Sequence, residues 1–327
     1  MRDLKKIELH LHLEGAAPAG FIRGLASEQK VSLDGVFDEA GHYAYDDFPG
    51  FLRTYEAATS VLRSPEHYAR LTREVLEQSA AHGVIYTEAF ISPDFCGGAD
   101  VSAWRDYLAA MQEAALEART ELGIEMRGIV TCIRHFGPDR AKAVARCAAE
   151  TAGSFITGFG MGGDESIGAA RDYAWAFDCA REAQLELTCH AGEWGAPDTI
   201  RAAWQDLGLA RIGHGVRAVE DPGLCEDLAE AGVVLEVCPG SNIALGIYRN
   251  FDAHPIEKLR ERGVKVTVST DDPPFFHTTM SAEYEALDRT FGWGVDGLMA
   301  QARVAAEAAF CDPETKARLL TALEDTP

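Results

Sequence analysis

The chain alternates between short β-rich runs and longer amphipathic segments, and it does so eight times. The runs are Ile7–Leu11, Val84–Ile91, Glu125–Cys132, Phe155–Phe159, Glu186–Cys189, Arg211–Gly213, Val233–Val237 and Val264–Ser269. Between most of them lie segments such as Val101 to Leu122, Asp139 to Thr151, Ser166 to Ala183 and Pro197 to Leu207, with apolar residues at the three-to-four spacing of one helical face. Helix boundary chemistry accompanies them, as where Asp221-Pro222 opens a segment that closes at Gly232. Alternation of strand and helix predicts parallel pairing, and the eightfold count favours a closed (β/α)8 TIM barrel over an open doubly wound sheet.

Two stretches exceed a minimal barrel. Residues from about 16 to 82 read as a helical insertion after strand one, including Phe48–Leu62 with Phe48, Phe51 and Tyr55. Residues from about 281 to 323 read as extra C-terminal helices. No Pro/Gly/Ser linker or change of composition marks a boundary, so 1–327 reads as a single barrel domain. Lys plus Arg total 30 against 52 Asp plus Glu, a net charge of −22, and the longest basic stretch is Lys5-Lys6. Such a field repels polyphosphates, so neither nucleic acid nor an anionic membrane is expected as a partner. No apolar run approaches the roughly 18 residues of a membrane span. The apolar stretch after Lys6 is too short for a signal peptide, and a cytoplasmic location is expected. The eight cysteines contain no C-x-x-C pair and read as small core residues, so a metal must find its ligands among His and carboxylate.

Polar residues gather where a barrel keeps its active site, at the carboxyl ends of the strands. They are His10-Leu11-His12-Leu13-Glu14, Gly160-Met161-Gly162-Gly163-Asp164-Glu165, His190-Ala191-Gly192-Glu193, Gly213-His214-Gly215 and Ser269-Thr270-Asp271-Asp272-Pro273. Residues two apart in a strand share a face, so His10 and His12 point together into the mouth. Paired imidazoles suit zinc, whose catalytic sites take about three protein ligands and keep a position open for water. His190 and Asp271 can complete the set. Glu193 can share the site without ligating, and a dry pocket would raise its pKa until it donates a proton near neutrality. The first turn of a helix is the alternative setting for it. The glycines beside His214 leave room for a ligand or a metal-bound water. Adjacent carboxylates cannot aim at one point, so Asp271 is assigned to metal and Asp272 to substrate, with a turn or helix cap as the alternative. Gly160 to Gly163 reads as a loop whose N–H groups can approach a ligand, and its spacing is not a dinucleotide fingerprint. His42, His67, His82, His135, His254 and His277 read as surface or structural.

In this order and spread, these five motifs resemble the adenosine/adenine deaminase family of the amidohydrolase superfamily, over residues 7 to about 275. The resemblance implies one Zn²⁺ per chain, held by His10, His12, His190 and Asp271. It implies Glu193 as the acid that protonates purine N1, and His214 as the residue that orients and deprotonates the water attacking C6. It places His12, Glu14, Gly163 and Asp272 against the substrate, with the Gly163 N–H at N3 and Asp272 at N7. Strand four has no lysine, whereas two-metal members of the superfamily carry a bridging carboxylated lysine there. Glu14 stands where adenosine-deaminating members commonly have an Asp for the ribose 5′-hydroxyl, and its length resembles the adenine branch. Ile212-Gly213-His214-Gly215 resembles the nucleoside branch. The expected partner is a small-molecule purine nucleoside or base. Adenosine, with 2′-deoxyadenosine, is the expected substrate, and adenine or another 6-aminopurine is the alternative. An inactive purine- or protein-binding barrel is disfavoured by retention of all four ligands with Glu193 and His214. The His/Cys/Cys signature of base-editing deaminases is absent.

Overall fold

The structure is a computed structural model that describes residues 1–324. Its strands are β1 (Lys6–His12), β2 (Val84–Ile91), β3 (Glu125–Ile133), β4 (Ile156–Gly162), β5 (Glu186–Leu187 and His190–Ala191), β6 (Arg211–His214), β7 (Val234–Val237) and β8 (Lys265–Val268). Neighbours in this order pair in parallel. β5 is broken because it changes ladders: its first piece pairs with β4 and its second with β6. Thr188 N–H on Phe159 O at 3.1 Å and Gly213 N–H on Cys189 O at 2.9 Å carry the join. The ring closes just past β8, where His12 N–H reaches Asp271 O at 3.0 Å and Asp271 N–H reaches His10 O at 3.1 Å. The alternation thus produces the (β/α)8 barrel expected of it.

Boundaries differ most around β4, which was expected to end at Phe159 and continues to Gly162. Glycine is a poor strand former, so propensity stops the strand early. Here the missing side chains are what let it continue. A Cβ on Gly160 would sit 3.3 Å from Phe90 Cε1, and one on Gly162 would sit 3.4 Å from His190 Cε1. The helix expected from Ser166 begins later, as a tight turn over Ala170–Tyr173 leading into Ala174–Glu182, so residues 163–169 form a loop beside the mouth. Elsewhere the capping chemistry acts as the sequence suggests. Asp100 accepts from Ala103 N–H at 2.9 Å to open Val101–Leu122, and left-handed Gly123 ends that helix.

The insertion contributes helices Ala19–Gln29, Phe48–Thr59 and Pro65–Ala81. Of these, Phe48–Thr59 lies over the mouth, with the Phe51 and Tyr55 rings 5.3 and 5.9 Å from Phe275. Three more helices, Met280–Phe291, Gly294–Ala308 and Pro313–Glu324, follow β8, and the link between the last two plugs the opposite end of the barrel. There the Arg211 guanidinium lies 3.4 Å over the Phe310 ring and donates to Ala308 O at 3.0 Å. It also meets Glu88 and Glu236 at 2.6 Å each, with all three charged groups fully buried. Six cysteines are buried, Cys179 and Cys311 are half-buried, and none is in a disulfide. Among the described residues no helix is long and apolar enough to cross a membrane.

Candidate active site

Five side chains from four strand ends converge at the barrel mouth. His12 Nε2 is 3.1 Å from His190 Nε2, and Asp271 Oδ1 is 3.3 Å from His12 Nε2 and 3.4 Å from His10 Nε2. One ligand atom from each of His10, His190, His214 and Asp271 lies within 4.8 Å of the others. The far sides of two rings are already engaged: His10 Nδ1 with Glu236 Oε2 at 2.8 Å and His190 Nδ1 with Met161 O at 3.0 Å. Acceptors at Nδ1 fix the tautomer and leave Nε2 as a bare lone pair. Burial holds His190 well below the ordinary imidazole pKa, and lowers His12 as well. His10 is buried too, but Asp271 and Glu236 outweigh that and push it up to about 9. A bound cation would displace that proton. His10 Nε2 is buried without a hydrogen-bond partner. An orphaned buried nitrogen is costly in isolation, whereas three imidazoles and a carboxylate facing one point fit a divalent ion of the zinc type.

Holding these groups requires unusual backbone. His214 (φ 58°) and Asp271 (φ 66°) both occupy the left-handed region, at a cost of about 1–3 kcal/mol each. Neighbours over-determine both. Asp271 is held by its backbone bonds to β1, and its Oδ2 accepts from Ser241 Oγ at 2.7 Å. His214 Nδ1 meets Asn242 Nδ2 at 3.3 Å, and Asn242 Oδ1 meets His254 Nε2 at 3.1 Å. That chain leaves His214 Nε2 on the cavity side, 3.8 Å from both Glu193 Oε1 and Asp271 Oδ2. Burial lowers its pKa to about 3, so the ring is neutral. Because Nδ1 accepts from the Asn242 amide, its one proton sits on Nε2, which can orient a water as a donor rather than take its proton as expected from the sequence.

Glu193 lies in the turn before the helix Pro197–Leu207 rather than on it. Its carboxyl is buried and Oε1 has no partner. Burial first, then the charges of Asp271 and Glu165, lift it well above the usual carboxylate range, so it holds a proton near neutrality. The two adjacent aspartates divide as their directions require. His10 and His12 keep Asp271 ionised despite burial, whereas burial and the Asp271 charge raise Asp272, whose Oδ1 is unpaired. Glu14 accepts from Tyr68 Oη at 3.1 Å and from Ser92 N–H at 3.4 Å, and burial raises it to about 7. His12, Glu14, Gly163, Glu193, His214, Asp271 and Asp272 all line one cavity, with Phe48, Phe51 and Tyr55 along it, while His10 is fully enclosed behind them.

The parts played by several residues of the site went unread in the sequence. A Cβ on Gly15 would fall 1.6 Å from Asp272 Oδ1, so only glycine fits there. Ser241 and Asn242 support Asp271 and His214, and their one signal is their position just past β7. The glycines flanking His214 do not open space for a ligand. A Cβ on Gly213 would meet His10 Cε1 at 2.9 Å and one on Gly215 would meet Leu235 Cδ2 at 2.6 Å, so both serve close packing behind the site. His135, read as surface or structural, lines the cavity and reaches Glu56 on the insertion helix at 3.2 Å. His254, read the same way, is a buried support for His214 through Asn242.

Lone pairs turned toward one centre beside a protonated carboxyl are what attack by a metal-activated water demands, and the fold and site define a barrel hydrolase of the metal-dependent kind. The chain belongs to the adenosine deaminase family, whose sequence model matches residues 5–326. It is similar to an adenine deaminase of Rhizobium leguminosarum bv. trifolii, 46% identical over 321 residues that make up 98% of this chain and 99% of the relative. An adenine deaminase of Rhizobium rhizogenes is 47% identical over 322 residues, with the same coverage. The crystal structure of adenine deaminase from Arthrobacter aurescens superposes with a TM-score of 0.90 at 27% identity, covering 98% of each chain. An amidohydrolase from Burkholderia ambifaria with bound Zn gives 0.87 at 28% identity, covering 99% of this chain and 90% of that one. The protein is a hydrolytic deaminase acting on the C–N bonds of cyclic amidines.

Proposed function

We propose that the enzyme deaminates free adenine to hypoxanthine and ammonia. Glu14 carries this reading. Adenine has a ring N–H where a nucleoside carries its sugar, and a buried carboxyl on the wall of the same cavity as Glu193 and Asp272 suits that N–H as an acceptor. The relatives at 46% and 47% identity, named adenine deaminases, support the same choice over adenosine, the substrate expected from the sequence.

His10, His12, His190 and Asp271 would hold the metal, which we take to be zinc. Bound there, it would lower the pKa of a water toward about 7 and so supply the nucleophile at neutral pH. His214, neutral and supported through Asn242, orients that water through its Nε2–H, and the ionised Asp271 beside it accepts the water's proton. Glu193 gives its proton to purine N1, so that the electrons displaced from C6 come to rest on a neutral ring nitrogen. Asp272 bonds at N7 and the Gly163 N–H at N3, which sets the ring's angle, and Glu14 fixes its far edge. Asp271 passes the water's proton on to the C6 amine, which leaves as ammonia with the C–N electron pair, while the new C6 hydroxyl returns a proton to Glu193 and becomes the oxo group. On this reading residues 1–327 act as one catalytic barrel in the cytoplasm, with a purine base as the partner.

Ammonia release from adenine, adenosine, 2′-deoxyadenosine and adenosine monophosphate tests the proposal. A site built around a buried hydrogen bond rejects substrates that cannot make it by a factor on the order of 10² or more in kcat/KM. Adenine is expected to lead by that margin, and a lead for adenosine would overturn the choice. Protein purified without added metal should carry about one equivalent of zinc.

A further inference from the structure

Two charged side chains outside the cavity grip the turn that carries Glu193. From the loop after β4, the Glu165 carboxylate accepts from three successive backbone donors: Glu193 N–H and Trp194 N–H at 3.2 Å each, and Gly195 N–H. From the 3-10 helix Val216–Glu220 that follows β6, the Arg217 guanidinium donates to Trp194 O at 2.6 Å, and Arg217 N–H donates to Gly192 O at 3.1 Å. The far side of that guanidinium is fixed by Glu220, with Nε at 2.7 Å and Nη2 at 3.0 Å. Three N–H groups converging on one carboxylate form an anion nest, and charge-assisted bonds of this kind are about twice as strong as neutral ones. The fit leaves no slack, since a Cβ on Gly195 would lie 2.8 Å from Glu165 Oε2.

We propose that Glu165 and Arg217 are positioning residues that clamp the Glu193 turn and set where its carboxyl meets the substrate ring. Residues 193–195 form a turn that precedes the helix and make no strand ladder of their own. At the side-chain end the Glu193 carboxyl is met by Asn242, while Oε1, the oxygen left for the substrate, has no hydrogen-bond partner. The clamp fixes it from the backbone end. It also ties the acid to its two neighbours in the reaction, because Glu165 lies two residues past Gly163 and Arg217 lies three past His214. Loss of either arm lets the turn relax, and a displacement of about 1 Å at a reacting group costs on the order of 10²-fold in rate.

This inference rests on Glu193 being the acid of the deamination, and the experiment keeps the two apart. Steady-state ammonia release, on whichever 6-aminopurine the wild type turns over fastest, is compared for Glu165→Ala, Glu165→Gln and Arg217→Ala, each alone and in a Glu193→Gln background. Alone, Glu165→Ala should lower kcat by on the order of 10² with KM changed less than about threefold. Glu165→Gln keeps the shape but loses the charge, and should fall by about tenfold. In the Glu193→Gln background each change should cost less than about twofold, because the route through Glu193 is already cut. Equal losses in both backgrounds, or no loss in the wild-type background, would overturn the clamp. Should Glu165→Ala fail to fold, the Gln and Arg217 variants carry the same comparison. Failure of the acid assignment itself would look different, as a Glu193→Gln variant with undiminished kcat.

Discussion

Both ends of the barrel bury charge, but they treat it in opposite ways. At the plugged end, Arg211 meets Glu88 and Glu236 and stacks on Phe310, while Tyr86 Oη at 2.8 Å and Phe310 N–H complete Glu88. The Arg211–Glu88 contact is too bent to be a directed hydrogen bond, yet the charges are in direct contact. At the mouth, His10 Nε2, His214 Nε2, Glu193 Oε1 and Asp272 Oδ1 are buried without a hydrogen bond from the protein, their nearest charges 3.4 Å away or more for the two imidazoles. Unsatisfied polar groups in a dry interior oppose folding. Polar atoms that the protein itself leaves unmet in the interior mark where ligands belong. The two ends are also joined, because Glu236 holds Arg211 through one oxygen and His10 through the other.

The comparison breaks most visibly at Arg211. Arg211→Met would strand two buried carboxylates, and losing one partner of a buried charged network costs about 3–5 kcal/mol. Urea unfolding of the variant should show a loss of that size, and a loss under about 1 kcal/mol would mean that the plugged end is held by packing alone. The mouth should answer differently. Glu193→Gln is expected to lower kcat by on the order of 10² to 10⁴. Its unfolding midpoint should stay put or rise, because Gln matches in shape and charge the protonated carboxyl already buried there. A fall in stability matching the fall in rate would erase the distinction between the two ends.

A smaller effect is expected at Gly15, whose absent Cβ makes room for Asp272. Gly15→Ala forces that carboxyl aside, and overpacking of this kind typically costs about 1–3 kcal/mol. KM for adenine should rise with it, and an unchanged KM would remove Asp272 from substrate contact.

The Gly15 case also shows what the sequence could and could not disclose. Strand order and the residues His10, His12, His190, Glu193, His214 and Asp271 were legible because each is a chemically loaded residue at the end of an apolar run. The extension of β4 was hidden because its glycines obey a tertiary demand, space for Phe90 and His190, that overrides their local preference. What Gly15, Ser241, Asn242 and Glu165 do was hidden for a related reason. Their roles are set by contacts with residues distant in the chain, and nothing in their own neighbourhoods reports those contacts.

The subtlest test compares two buried glutamates that differ in their partners. Glu236 faces Arg211 and His10, which hold it below the ordinary value despite burial. Glu283 is as deeply buried but is met by the neutral donors Thr278 Oγ1 and Gly240 N–H, so burial prevails and lifts it to about 7, with the Glu8 charge adding to the rise. A carboxyl with a raised native pKa binds its proton more tightly folded than unfolded, so stability is greatest below about 4.5 and falls as pH rises from there to about 7. The slope is at most about 1.4 kcal/mol per pH unit for one such group. Glu283→Gln is neutral at every pH and keeps an acceptor, so its slope should be flatter by about 1 kcal/mol between pH 5.5 and 6.5. Glu14, also near 7, titrates in the same window and cancels in the difference, while Glu8, coupled by charge to Glu283, makes a smaller contribution in the variant that adds to the flattening. Parallel slopes for wild type and variant would mean that the neutral donors keep Glu283 ionised as Arg211 does Glu236, and that a buried carboxyl here needs no cation.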